Sequence, residues 1–340
     1  MAPQMTTSIR TRLRQVMRSA WLRLTTRLVV GAGVLIAVFT QVGTGPFLRG
    51  LLSLDGRTIG AAILLAAVAT AAAAWRWRLI ATRLGVELRW STAVGRYYQS
   101  QFLNTVLPGG IVGDVHRAVG HGQRAESIKQ TARSVAIERI AGQVVQLALA
   151  LIVLAWFGTE FEGYLLAALA IGLGTIVVVL LVTTVASVRA RRVLLHEVRE
   201  LRAGLGSVRV SVQVAIASVI VIACHVATLS IATAAVGQSV PPLRMLPLAC
   251  VILIGASIPL NVGGWGPREG IAGWAFALAG FGASAGVAAS TLFGALAIIS
   301  FAPGAILTAV SAVRRRKAKD AAPLLVLVPV RTARNQEKTS

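Results

Sequence analysis

A chain of 340 residues that is 56% hydrophobic and 14% charged, with a mean hydropathy of +0.74, lies far outside the range of soluble domains. Its formal charge of +22 would suit nucleic acid, but the bases cluster between apolar runs and no basic patch is interleaved with aromatics. Nucleic acid is therefore excluded as a partner, and anionic lipid headgroups fit those clusters better.

Met1 to Arg27 carries six arginines and no acid, which predicts a basic cytoplasmic lead-in without a cleaved signal. Leu28 to Val42 is the first expected span, and Gly43 to Arg57 the loop after it. The second span is expected over Thr58 to Ala74, closed by Trp75, Arg76, Trp77 and Arg78. That quartet suits an interface, with indoles at headgroup depth and guanidiniums toward phosphate. Arg83, Arg89 and Arg96 against Glu87 mark the next segment as cytoplasmic.

Ser91 to Val106 predicts a helix that Pro108, Gly109 and Gly110 stop, since proline disfavours helix in the residue before it. Gly113 and Asp114 then open a polar helix expected to run to about Thr131. This pair is too polar and too broken to span, and reads as a hairpin that enters and returns on one side. Such backbone at membrane depth must be buried in protein or line a wet cavity.

Ser134 to Phe157 is the third span, Gly158 to Gly163 an acidic outer loop, and Tyr164 to Val188 the return. Arg189 to Arg209 reads as a basic cytoplasmic loop. Val210 to Val236 crosses outward, and GQSVPPLR turns. Leu246 to Ile258 is half a span, Pro259 to Glu269 breaks it, and Gly270 to Phe281 is another short helix. Val287 to Val310 is the last long span, with Pro303-Gly304 as a kink and Arg314, Arg315, Arg316 and Lys317 after it. The expected fold is thus an all-α polytopic membrane protein with six full spans and two broken re-entrant hairpins, or eight spans. Both ends lie in the cytoplasm. The divisions are a basic segment over 1–27, a membrane domain over 28–313 and an unstructured basic tail over 314–340.

Paired broken helices point to a transport site. Half-helix N-termini offer free N–H groups and a positive dipole end, which favours an anionic ligand. Arg117, Arg139 and Arg268 suit phosphate through the bidentate guanidinium fork. Asp114, Glu138 and Glu269 would balance them in the empty site. A charge at the bilayer centre costs about 3 kcal/mol on insertion scales, so each needs a partner or water. Other readings stand beside this one. Asp114 could cap the helix that follows, Glu138 and Arg139 could be structural, and Arg268-Glu269 could be a surface pair. His116 and His121 read as interface residues, His225 as a satisfied core histidine, and Cys224 and Cys250 as buried thiols. No metal or other cofactor is expected, because no DxxD, HExxH or GxxxxGK[ST] pattern occurs.

The motifs FLNTVLPGGIVGDVHR (Phe102 to Arg117), AIERIAG (Ala136 to Gly142) and SIPLNVGGWGPREG (Ser257 to Gly270), in this order and spacing, resemble one family. It is the transmembrane region of lysylphosphatidylglycerol synthases, flippase-like proteins also grouped as uncharacterised protein family 0104. The chain departs from the family pattern at Val112, where a glycine would stand, and at Leu260-Asn261 after the second proline. The resemblance implies a multi-pass inner-membrane protein that moves a phospholipid or lipid-linked substrate between leaflets. Carried over by position, its headgroup residues are Asn104, Pro108, Gly109, Gly110, Gly113, Asp114, Arg117, Glu138 and Arg139. Pro259, Gly263, Gly264, Gly266, Arg268 and Glu269 belong to the second motif. A lipid moved by this chain would be made elsewhere, because the soluble aminoacyl-transfer domain is not seen. The rival expectations are a scaffold for partner enzymes of lipid or glycan synthesis, and an intramembrane transferase.

Overall fold

The computed structural model describes residues 40, 45–52, 54–107, 110–122, 127–157, 163, 188–257 and 265–321. Every regular element there is a helix: α1 Gly45–Leu52, α2 Gly56–Arg83, α3 Trp90–Val106, α4 Val112–Gly122, α5 Ile128–Phe157 and α6 Val188–Leu205. They continue with α7 Val208–Ala235, α8 Pro242–Ala256, α9 Pro267–Leu278, α10 Ala283–Ser300 and α11 Ala302–Ala321. Helices α2, α5, α7 and α10 are long and apolar enough to cross a membrane. The chain is an all-α polytopic membrane protein. Most of each span expected over Leu28 to Val42 and Tyr164 to Val188 lies outside the described residues.

Small side chains set the packing. Helix α2 buries Ala62, Ala69 and Ala73 and packs along α7, which buries Val214, Ala217 and Ser218. Lipid tails are as apolar as leucine, so close backbone approach is what holds such helices together. Helix α10 is the most enclosed, with Gly286, Ala289, Ser290 and Gly294 buried, and it packs on α1, α2, α7 and α9. A Cβ on Gly286 would run into the carbonyl of Ala272 on α9.

Both broken stretches fold as helical pairs. Helices α3 and α4 pack together, α4 packs also on α5, and α8 packs on α9. Glycine sets the first pair's contact, since a Cβ on Gly113 would strike the carbonyl of Ser100.

Several boundaries differ from expectation. Helix α2 runs through the Trp75–Arg78 quartet to Arg83, so Trp77 and Arg76 face the interior. The segment expected as a loop over Gly43 to Arg57 contains α1. The polar helix ends at Gly122, not near Thr131, and α5 starts at Ile128. Gly120 and Gly122 are poor helix formers, and Gly122 lies so close to Ile128 that a Cβ would sit 2.5 Å from its Cα. The basic segment after Val188 is the helix α6, not a loop. Finally, the last long span divides at Phe301. Pro303 stands in the first turn of α11, where its missing N–H costs nothing. Helix α11 then leaves α10 and packs on α3, with Gly304 against the carbonyl of Tyr98.

Candidate functional site

The site begins with Glu138, a fully buried carboxylate on α5. Its Oε1 accepts from Arg76 Nε at 2.9 Å on α2 and from Tyr97 OH at 3.1 Å on α3. Its Oε2 accepts from Arg117 Nη2 at 2.6 Å on α4. Three helices thus converge on one carboxylate. Arg76 Nη1 also donates to Ser218 Oγ on α7 at 2.8 Å, and Gly142 leaves the room its guanidinium occupies.

Arg117, fully buried, lies between the rings of Trp77 and Tyr97, 4.8 and 4.5 Å from their centroids. Cation–π attraction compensates part of its lost hydration. Its Nε donates to Asp114 Oδ1 at 3.0 Å. Asp114 also accepts from Ser100 Oγ at 3.0 Å and from Asn104 Nδ2 at 3.3 Å, and pairs with Arg139. Its partners are side chains. The capping role falls to Asn104, whose Oδ1 accepts from Gly113 N at 2.7 Å in the first turn of α4.

Arg139 differs from the other two arginines. Its side chain is 42% exposed, and Nη2 donates to the carbonyl of Gly110 at 3.1 Å. Beside it lies a polar cavity of about 200 Å³ lined by Arg76, Glu138, Arg139, Gln101, Gln143 and Gln146, among others. Three guanidiniums face two carboxylates in this cluster, a net charge of +1. It can therefore hold an anion beside neutral amide donors and acceptors.

The second stretch forms its own network. Arg268 Nε and Nη2 donate to Glu269 Oε1 at 3.0 and 2.6 Å, and Ser290 on α10 bridges both residues. Glu269 Oε2 accepts from Gly266 N at 2.7 Å, closing the first turn of α9. Gly266 has φ 115°, a conformation that suits only glycine. Arg268 lies 5.7 Å from the Trp265 ring centroid and 5.3 Å from that of Phe293. Both charged residues are buried, so they are not a surface pair.

The structure therefore brings Asn104, Gly110, Gly113, Asp114, Arg117, Glu138 and Arg139 together, and separately Gly266, Arg268 and Glu269. Pro108, Gly109, Pro259, Gly263 and Gly264 lie outside the described residues. Arg76, Tyr97, Ser100 and Ser218 complete the first network and were missed. The signal for Arg76 was its place in a buried stripe with Ala69, Ala73 and Ile80 at helical spacing. His121 is buried against Trp77 and the carbonyl of Glu87, not at an interface. Cys224 and Cys250 are buried free thiols, as expected.

No curated protein and no solved structure compared with the chain matches it. A family model does: that of the lysylphosphatidylglycerol synthase TM region, over residues 24–304. The chain belongs to that membrane family.

Proposed function

We propose that the protein is a lipid translocase whose polar cavity receives the phosphate of a lipid headgroup. The observation that carries this is the asymmetry of the Arg139–Asp114 pair. Arg139 is half-exposed beside the cavity, and Asp114 keeps donors from Ser100, Asn104 and Arg117 when Arg139 leaves. Arg139 can thus trade Asp114 and the Gly110 carbonyl for a phosphate without stranding a buried charge. Arginine suits that exchange because its fork binds two phosphate oxygens at once.

Arg76 and Arg117 stay with Glu138 and supply a fixed positive field. Gln101, Gln143 and Gln146 offer neutral donors and acceptors to hydroxyl or aminoacyl groups on the headgroup. Most of the tail length stays in the bilayer while the headgroup passes. The protein works in the inner membrane with both termini in the cytoplasm, and a gradient, a partner or mass action supplies the drive.

Leaflet exchange in liposomes tests the reading, using headgroup-labelled anionic phospholipids and an impermeant quencher. Protein-dependent exchange that falls strongly in Arg139→Gln is expected. Exchange equal in both proteins would overturn the assignment of Arg139. A folded wild type without exchange for any phospholipid would favour a scaffold for synthesis enzymes.

A further inference from the structure

A second cavity, of about 130 Å³, lies between α2, α7 and α10. Its walls include Ala66, Ala69, Cys224, Phe293 and Ala297, and are almost wholly apolar. His225 lines this cavity and also the polar one. Its ring stands edge-on to Phe293, 6.2 Å between centroids. One histidine therefore partitions a charged chamber from an apolar one.

We infer that the apolar cavity binds a segment of one alkyl chain of the same lipid whose phosphate occupies the polar cavity, with His225 at the junction. This rests on the headgroup reading above. Two observations support a hydrocarbon occupant. Its volume is close to the ~150 Å³ engineered apolar cavity that stays dry and takes up benzene, which is room for a stretch of one chain and not for two. Its rim is incompletely closed: Leu65, Ala66 and Ala297, which line it, are only half-buried.

The partition has a further consequence. Phe293 carries the Arg268 guanidinium on its ring and meets His225. A chain seated against Phe293 thus touches a ring that meets both Arg268 of the second broken stretch and His225 in the wall of the polar cavity.

The test uses the full chain in nanodiscs with a lysophospholipid bearing a free phosphate headgroup and a diazirine in its acyl chain. After irradiation, labelled residues are mapped by mass spectrometry. Wild type is expected to label within 224–228 or 293–301. Ala66→Phe, or Ala297→Phe should the first not fold, fills the cavity and displaces two or three methylenes, so this labelling should fall about tenfold or more. Labelling confined to the exposed Leu64, Val68 and Ile298, or unchanged by both filling variants, overturns the inference. Arg139→Gln separates the two claims. Labelling lost on filling but unaffected by Arg139→Gln keeps the chain site and sinks the headgroup assignment. Labelling lowered by Arg139→Gln but indifferent to filling does the reverse.

Discussion

Arg139 reaches Asp114 from α5 while Asp114 holds three other donors from α3 and α4. The pair is therefore easy to part. Arg139→Gln should unfold within about 1 kcal/mol of wild type, because a half-exposed ion pair contributes little. Lipid exchange should fall about ten- to a hundredfold, the loss expected for hydrogen bonds between charged groups. Thermal unfolding in detergent and the exchange rate, measured on one preparation, check both halves.

Glu138 is the opposite case. Glu138→Ala leaves Arg76 and Arg117 buried without their shared acceptor, at a cost of about 3–5 kcal/mol. Arg76→Ala should cost less, because Glu138 keeps Arg117 and Tyr97. Unfolding midpoints ordered wild type, Arg76→Ala, Glu138→Ala would bear this out. The reverse order would remove Glu138 from the centre of the network.

Two glycines at the contact of α3 with α11 should respond differently. A Cβ at Gly304 would strike the carbonyl of Tyr98, so Gly304→Ala should cost about 1–3 kcal/mol. A Cβ at Gly95 would meet Leu307 Cδ1 at 3.9 Å, an ordinary contact. Gly95→Ala should be neutral or gain up to about 1 kcal/mol of helix propensity. Equal effects in an unfolding assay would argue against α11 packing on α3.

The contact of α6 with α5 should depend on pH. Arg133 Nη2 donates to Glu197 Oε1 at 2.7 Å, and that hydrogen bond holds the Glu197 carboxyl below its usual range. A lowered folded pKa means the stabilisation is complete above the ordinary carboxylate pKa and is lost as pH falls through the folded value. Protection of the α6 amides, taken relative to the intrinsic exchange rate at each pH, should therefore fall under acid, more so at low salt. Glu197→Gln should exchange faster at neutral pH and lose most of that acid dependence. Glu197 is half-exposed, so the effect is small.

The sequence marked Asp114, Arg117 and Glu138 because charges among apolar runs need partners. It did not reveal the partners, since Arg76 meets Glu138 across 62 positions and Ser218 across 142. A tryptophan–arginine quartet also matches an interface belt, which hid Arg76 and Trp77 in plain view. Helix type was legible from hydropathy, whereas boundaries were not where glycine and proline act. Pro303 reads equally as a kink or as the first turn of a new helix, and only α11 packing on α3 decides. His225 looked like core because its two neighbouring cavities exist only in the assembled bundle.

The keystone position of Glu138 also bears on how the chain enters the membrane. Arg76 emerges from the ribosome well before the carboxylate that neutralises it. Until α5 follows, α2 holds a guanidinium that costs on the order of 3 kcal/mol at the bilayer centre. The early bundle must therefore keep that end of α2 at the lipid surface and draw it inward only when α5 arrives. Insertion of the first half is then a concerted event, and a nascent chain arrested before Glu138 would leave Arg76 open to aqueous reagents.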